Sequence, residues 1–274
     1  MPSPRRALAT PALVVLLGAL TACGGGSSTD AATATPSATP SASPTVEATP
    51  EPTTLTAADF IRTIVDAQVA AGSYDFTMTM GSAGESMSMS GSVHLGGDTP
   101  ALAMVIEAPD TPAMTVRSVG GMSYVNLGEL TGGKFLAIDP ADASNPFGAA
   151  FAEAMGEVDP TMGLEGQEAA IVSVTPTGEP IEVDGVEAQT YVVVIDPSKL
   201  PEELAEMQAQ LPPGTEVPAT LEYTYVVDAD GRAREVSFDI LGIQSRTTFT
   251  SWGTAAPVDA PTAEEITTED PFAG

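Results

Sequence analysis

Cysteine and histidine are nearly absent: Cys23 and His94 stand alone in 274 residues. With no second cysteine, the folded part of the chain holds no disulfide, and its stability must come from an ordinary core. One histidine removes His-dependent catalytic triads unless His94 itself is the base. Ser90 and Ser92 lie near it, but neither sits in a nucleophile-elbow pattern, so no catalytic residue is expected and a half-exposed strand histidine is the simpler reading. Cations are scarce too. Nine Lys and Arg face 37 Asp and Glu, a formal charge of −28, which repels nucleic acid and anionic headgroups and makes a solubilising acidic exterior. Aromatic residues are only 5% of the chain, with Trp252 the sole tryptophan, although 43% of residues are hydrophobic. Aliphatic side chains and the 11 methionines must therefore build the interior. A lone tryptophan at the end of the last strand reads as core packing. The one apolar run, Ala7 to Leu20, is shorter than the roughly 20 residues a spanning helix needs.

What the N-terminus does contain is ordered by function. Arg5 and Arg6 supply a basic start, Ala7 to Leu20 an apolar segment broken by Pro11 and Gly18, and Leu20-Thr21-Ala22-Cys23 small residues before the only cysteine. With Gly24 after it, this stretch resembles a bacterial lipobox. That resemblance implies a signal peptide over 1–22, a diacylglyceryl group on the Cys23 sulfur, and cleavage by signal peptidase II before Cys23, freeing an amine that can also be acylated. The dipeptide Arg5-Arg6 is also compatible with a twin-arginine signal, which alters the export route and not the destination. Loss of those two cations takes the formal charge from −28 to −30. So acidic a chain needs a covalent anchor, and each buried methylene adds about 0.8 kcal/mol, so two or three chains hold where one lets go. The expected location is the extracytoplasmic side of the cell membrane, lipid-anchored.

Residues 24–55 are almost entirely Gly, Ser, Thr, Ala and Pro, without the large apolar side chains a core requires. With Cys23 they read as a lipidated, disordered tether over 23–55, with a coil reach of about 30 Å. Its Ser, Thr and Pro content is compatible with O-glycosylation. Order is expected from Thr56, where Thr56-Ala57-Ala58-Asp59 resembles a capping box and Phe60, Ile61, Ile64 and Val65 follow at helical spacing up to Gly72. The period then changes to two. Tyr74, Phe76, Met78 and Met80 alternate with polar residues, as do Met87 and Met89. Further strands are expected at Leu102 to Glu107, Met114 to Val119, Met122 to Leu127, Phe135 to Ile138, Ile171 to Val174, Glu187 to Ile195, Ala219 to Val227, Arg234 to Leu241 and Gln244 to Trp252. Helices are expected at Pro146 to Met155, Thr161 to Glu168 and Pro201 to Leu211. This order implies one α+β domain over 56–253 on a large antiparallel sheet, followed by an acidic tail over 254–274. With few helices to cover it, the sheet must curl on itself or bind something apolar.

The lipobox at Cys23, the Ala/Thr/Pro tether, the opening helix and the meander together resemble the LppX/LprG-type lipoproteins of the actinobacterial cell envelope, which share the LolA fold. Val183-Asp184-Gly185 before a strand at Tyr191, the passage from Asp196 to Leu204, and Phe249 to Gly253 leading into Pro257 and Pro261 belong to the same resemblance. It implies a strongly curved antiparallel sheet, a half-open β-barrel wrapped over a few helices that line an apolar cavity. It further implies a non-enzymatic protein that binds or carries an acylated lipid or glycolipid, with contacts spread over many apolar side chains; no cofactor is expected, and the domain, whose tether adds nothing to its core, is expected to be a monomer. An interaction or sensory lipoprotein contacting a membrane transporter or regulator is the rival reading.

The cavity candidates are Met78, Met80, Met87, Met89, Leu102, Met104, Ile106, Met114, Val116 and Tyr124. Within each early strand the alternate methionines share a face, which fits a methionine-filled core, an adaptable wall for acyl chains, or a Cu(I) site, since thioethers are soft ligands. No cysteine or nearby histidine accompanies the methionines except His94, and the aliphatic neighbours suit a wall better than a metal site, so no metal is expected. Asp228-Ala229-Asp230-Gly231 reads as a hairpin and not a calcium loop, because Arg232 and Arg234 occupy later ligand positions. Gly120-Gly121 and Gly132-Gly133 are turns without the helix a phosphate loop needs.

Overall fold

The computed structural model describes residues 54–82, 84–96, 99–139, 167–211 and 214–268. The chain enters through helix α1, Phe60–Ala71. The Thr56 amide donates to Asp59 Oδ1 at 2.6 Å, the reciprocal half of the expected capping box. At the other end Gly72, at φ 72°, closes the helix with its amide on the Gln68 carbonyl. Phe60, Ile61, Ile64 and Gln68 form the buried stripe, as the 3.6-residue period requires.

Six strands follow: β1 Ser73–Ser82, β2 Glu85–His94, β3 Ala101–Glu107, β4 Met114–Val119, β5 Met122–Asn126 and β6 Phe135–Ile138. Later come β7 Ile171–Val183, β8 Val186–Ile195, helix α2 Pro201–Gln210, β9 Leu221–Asp228, β10 Ala233–Ile240, β11 Ile243–Thr250 and β12 Ile266–Thr267. All twelve lie in one sheet, in the order β12-β6-β5-β4-β3-β2-β1-β11-β10-β9-β8-β7. Two antiparallel meanders are thus joined by the pairing of β1 with β11, and β12 adds a parallel pair to β6. The two outermost strands do not pair, so the sheet is curved but unclosed, as expected. A 12-stranded twisted sheet must curl or split. At Gly91 in β2 the neighbouring strand comes close: an added Cβ would overlap the Ala103 carbonyl of β3, so only glycine permits the approach.

Two cores fill the inner face. Helix α1 packs Phe60, Ile61 and Ile64 on Tyr191, Val193 and Val227, with Phe60 edge-on to Tyr191 at 5.9 Å and Tyr225 at 5.0 Å. Gly231 in the β9–β10 turn is where the hairpin meets α1, since a Cβ there would come within 2.8 Å of Thr63 Cγ2. The second core gathers Tyr74, Phe76, Met89, Val93, Leu102, Met104, Val116, Val125 and Ile138 from β1 to β6. Phe249 packs against both.

The Asp228-to-Gly231 hairpin is held from inside. Asp228 Oδ1 accepts from the Asp230 and Arg232 amides at 3.0 and 2.9 Å, and Oδ2 takes Arg234 Nε at 2.8 Å and Nη2 at 2.7 Å. The Asp228 side chain is fully buried and that of Arg234 8% exposed. All Asp228 acceptor sites are directed at this turn, which leaves none for calcium.

Strand β7 runs to Val183, well past the expected Val174, with register shifts where extra residues enter the edge. Residues 254–268, expected as a tail, run back across the molecule. Ala255 is buried, the Phe135 amide donates to the Glu265 carbonyl at 2.7 Å, and β12 covers the free edge of β6. The helix expected at Pro146 to Met155 and most of that at Thr161 to Glu168 lie outside the described residues; Gln167–Ala170 is a short 3₁₀ turn.

Candidate functional site

Register decides which side chains meet. One inner-face row runs Val125–Val116–Met104–Gly91–Phe76–Phe249 across β5, β4, β3, β2, β1 and β11. The next runs Met114–Ile106–Met89–Met78–Thr247–Val236–Tyr225–Tyr191, from β4 to β8. A third, nearer the β1–β2 turn, runs Met87–Met80–Ser245–Phe238–Tyr223–Val193. Every position in these rows is apolar, glycine, serine, threonine or tyrosine. The pleat puts the Ser, Thr and charged partners of the same strands outside, in rows such as Thr79–Arg246–Ser237–Thr224.

Nine of the ten sequence candidates, from Met78 to Val116, are therefore brought onto one face. Tyr124 is not. It is paired with Arg117, and through Ala103 and Ser92 its row reaches Asp75, so it lies on the outer face. Its flanking residues Ser123 and Val125 point inward and are buried. The candidate was drawn from apolar character alone, without the parity that β5 imposes.

The nine are not equivalent. Leu102 and Val116 are 0% exposed, Met89 and Met104 2%; they are closed in by the second core. Met78, Met80, Met87, Ile106 and Met114 are half-buried. The second and third rows continue at the same depth into the other meander, through Val236 in the second and Phe238 and Tyr223 in the third, also half-buried. These three, together with Tyr225, were missed as site residues, although the alternation Leu221-Tyr223-Tyr225 and Val236-Phe238-Ile240 carried the signal. Burial pushes the Tyr74, Tyr223 and Tyr225 hydroxyls above the ordinary tyrosine range, so the aromatic part of this wall stays uncharged.

A cleft of ≈ 840 Å³ opens where the β1–β2 and β10–β11 turns meet. Met80 and Phe238 are its large apolar members, and Glu85, Glu222, Glu235, Asp239 and Arg246 line the rest. A second cleft of ≈ 260 Å³ lies between α1 and the β9–β10 hairpin, lined by Asp59, Thr63, Gln189 and Tyr191 among others.

His94 is set apart from the methionines. It sits at the far end of β2 from Met87, on the outer parity, and its Nε2 lies 2.6 Å from the Ala256 carbonyl. A carbonyl only accepts, so Nε2 carries the hydrogen. The Ser92 hydroxyl donates to Asp75 at 2.6 Å. Histidine and serine are thus each engaged elsewhere, and no nucleophile–base bond links them. Trp252 follows β11 and packs at 4.9 Å from Tyr74 and 6.1 Å from Phe249, the core role expected of it. Its Nε1 and Gln68 Oε1 are buried without a hydrogen-bond partner among the described residues. No group of three His, Cys, Asp or Glu suited to a metal is found among those residues, and none of the described helices is long and apolar enough to cross a membrane.

No family model matches this chain, and no curated protein matches it. Among solved structures, lipoprotein LppX of Mycobacterium tuberculosis is similar at 15% identity and a TM-score of 0.49, over 74% of this chain and 98% of that one. LprF from Mycobacterium bovis is similar at 14% identity and 0.47, over 76% and 97%. MucB of the Pseudomonas aeruginosa MucA/MucB complex shows 15% identity and 0.37, over 76% and 59%. At such values these are distant likenesses, and no site residue carries over from them.

Proposed function

We propose that this protein is a lipid-anchored envelope lipoprotein, held on the extracytoplasmic side of the membrane through Cys23, that binds a hydrophobic ligand with acyl chains against the inner face of its sheet. One observation carries the reading. The inner face forms a continuous uncharged band across both meanders, and its members toward the β1–β2 turn, among them Met78, Met80, Met87, Met114, Val236 and Phe238, remain half-buried. A face filled only by its own core would close these positions as it closes Leu102 and Val116. Thioethers and aromatic rings on such a band adapt to chains of variable shape without presenting a charge that must be desolvated. The ligand is an acylated lipid or glycolipid in transit through the envelope. Native mass spectrometry of the full chain isolated from its own membranes, followed by organic extraction, tests this. Stoichiometric lipid is expected. A chain that is lipid-free apart from the acyl groups on Cys23 overturns it.

A further inference from the structure

The β1–β2 hairpin holds an arrangement that an apolar wall does not require. Met80 faces Met87 and Met78 faces Met89 as direct cross-strand partners, all on the inner face. Directly opposed residues have Cβ atoms about 4.5–5.5 Å apart. Met89 is closed into the core at 2% exposure, whereas Met78, Met80 and Met87 are half-buried. Three thioethers on flexible stems thus stand at neighbouring positions of two strands, and Met80 also lines the ≈ 840 Å³ cleft.

We infer that Met78, Met80 and Met87 form a binding site for a soft monovalent cation of the Cu(I) or Ag(I) type. Thioether sulfur is a weak ligand for hard cations and protons but a good one for such ions, and three of them satisfy a low coordination number. The sulfurs select by softness, so calcium or magnesium passes over the site. Binding involves no redox step, and the ion arrives in the monovalent state. His94, the sole histidine, is at the other end of β2 and bonded to Ala256, so the site depends on thioethers and not on imidazole.

The test titrates silver nitrate, in chloride-free buffer, into the full chain carrying Cys23→Ser and methyl-¹³C methionine. That background removes the only thiol, and silver shares the charge and softness of Cu(I) without its oxidation. Saturation at one silver per chain is expected, with three methyl signals shifting. Those signals are assigned by their absence from Met78→Leu, Met80→Leu and Met87→Leu, which conserve volume and keep the fold. Each variant should bind silver at least tenfold more weakly, and calcium should move none of the three signals. Shifts spread evenly over all methionines, or leucine variants that bind like the parent, overturn the proposal. The readout is the silver-dependent shift of assigned methyl signals and not lipid content, so the outcome is independent of the ligand-binding reading.

Discussion

Met104→Glu and Met114→Glu distinguish a closed core from an open wall within one face of the sheet. Met104 is 2% exposed, with Val116 and Gly91 opposite it; Met114 is half-buried at the start of β4. At Met104 the substitution forfeits an apolar burial worth about 1.5–3 kcal/mol. Keeping the new carboxyl neutral at pH 7 against an unfolded value near 4.3 adds up to ~3.7 kcal/mol. The total, roughly 5–7 kcal/mol, is comparable with the whole stability of an ordinary domain, and at about 2–4 °C per kcal/mol it lowers the thermal midpoint by roughly 10–25 °C. The pH dependence has a definite sign. Burial raises the folded pKa, so the electrostatic part of the loss is absent below the unfolded value of about 4.3, grows as pH rises through it, and levels off above the folded value. Met114→Glu lets its carboxylate reach water and should cost about 1 kcal/mol while displacing bound lipid. Thermal unfolding by circular dichroism at pH 4 and pH 7, with lipid extraction of each variant, reads both effects. A Met104→Glu protein with a wild-type midpoint at pH 7, or with a loss that does not change with pH, refutes the assignment of that position to a closed core. Unchanged lipid in Met114→Glu removes β4 from the binding wall.

Cys23→Ser should leave the protein unprocessed or released, since so acidic a domain has no other affinity for membranes; fractionation and mass measurement check this, and processed, membrane-bound Cys23→Ser contradicts the anchor. Ending the chain at Gly253 should strip β12 from β6 and expose Ala255's contact surface, giving a lower midpoint and concentration-dependent association by light scattering; a truncated chain as stable and monomeric as the parent denies the C-terminal segment its role. Asp228→Asn leaves the buried Arg234 guanidinium without its counter-charge and should cost about 3–5 kcal/mol, measured by urea unfolding. Adding Arg234→Met should recover much of it, and a second substitution that adds its own full cost argues against the pair.

Much of this architecture is legible in residue order because local signals agree with it. Gly72 ends α1 where the helical period stops, and β4 and β6 begin and end where Gly, Pro and Asp bracket them. What escaped has physical causes. The length of β7 is hidden because Pro176, Gly178 and Pro180 read as breakers, yet an edge strand with register shifts accommodates them. Strand β12 is two residues long and depends on a parallel partner some 130 positions away, which no local pattern encodes. Tyr124 shows the same limit at the site. Its hydrophobicity is plain in the sequence, but which face it takes is set by the register of β5 on β4. The third inner row was half seen because its Met80 and Met87 lie seven residues apart, while Phe238 and Tyr223 join them only through β11.

The seam between β1 and β11 also sets an order of assembly. Every other neighbour in the two meanders is close in sequence, whereas the Thr248 hydroxyl reaches the Thr77 carbonyl across 171 positions. Loop closure of that size is the slow, entropically costly step in a fold otherwise made of hairpins. During synthesis at about 5–20 residues per second, the roughly 160 residues between Ser82 and Ile243 keep β1 without its second partner for on the order of ten seconds or more. For that interval its backbone edge and the faces of Phe76, Met78 and Met80 are open to any other extended chain. The nascent protein is most exposed to mispairing at the strand that later becomes the centre of the finished sheet.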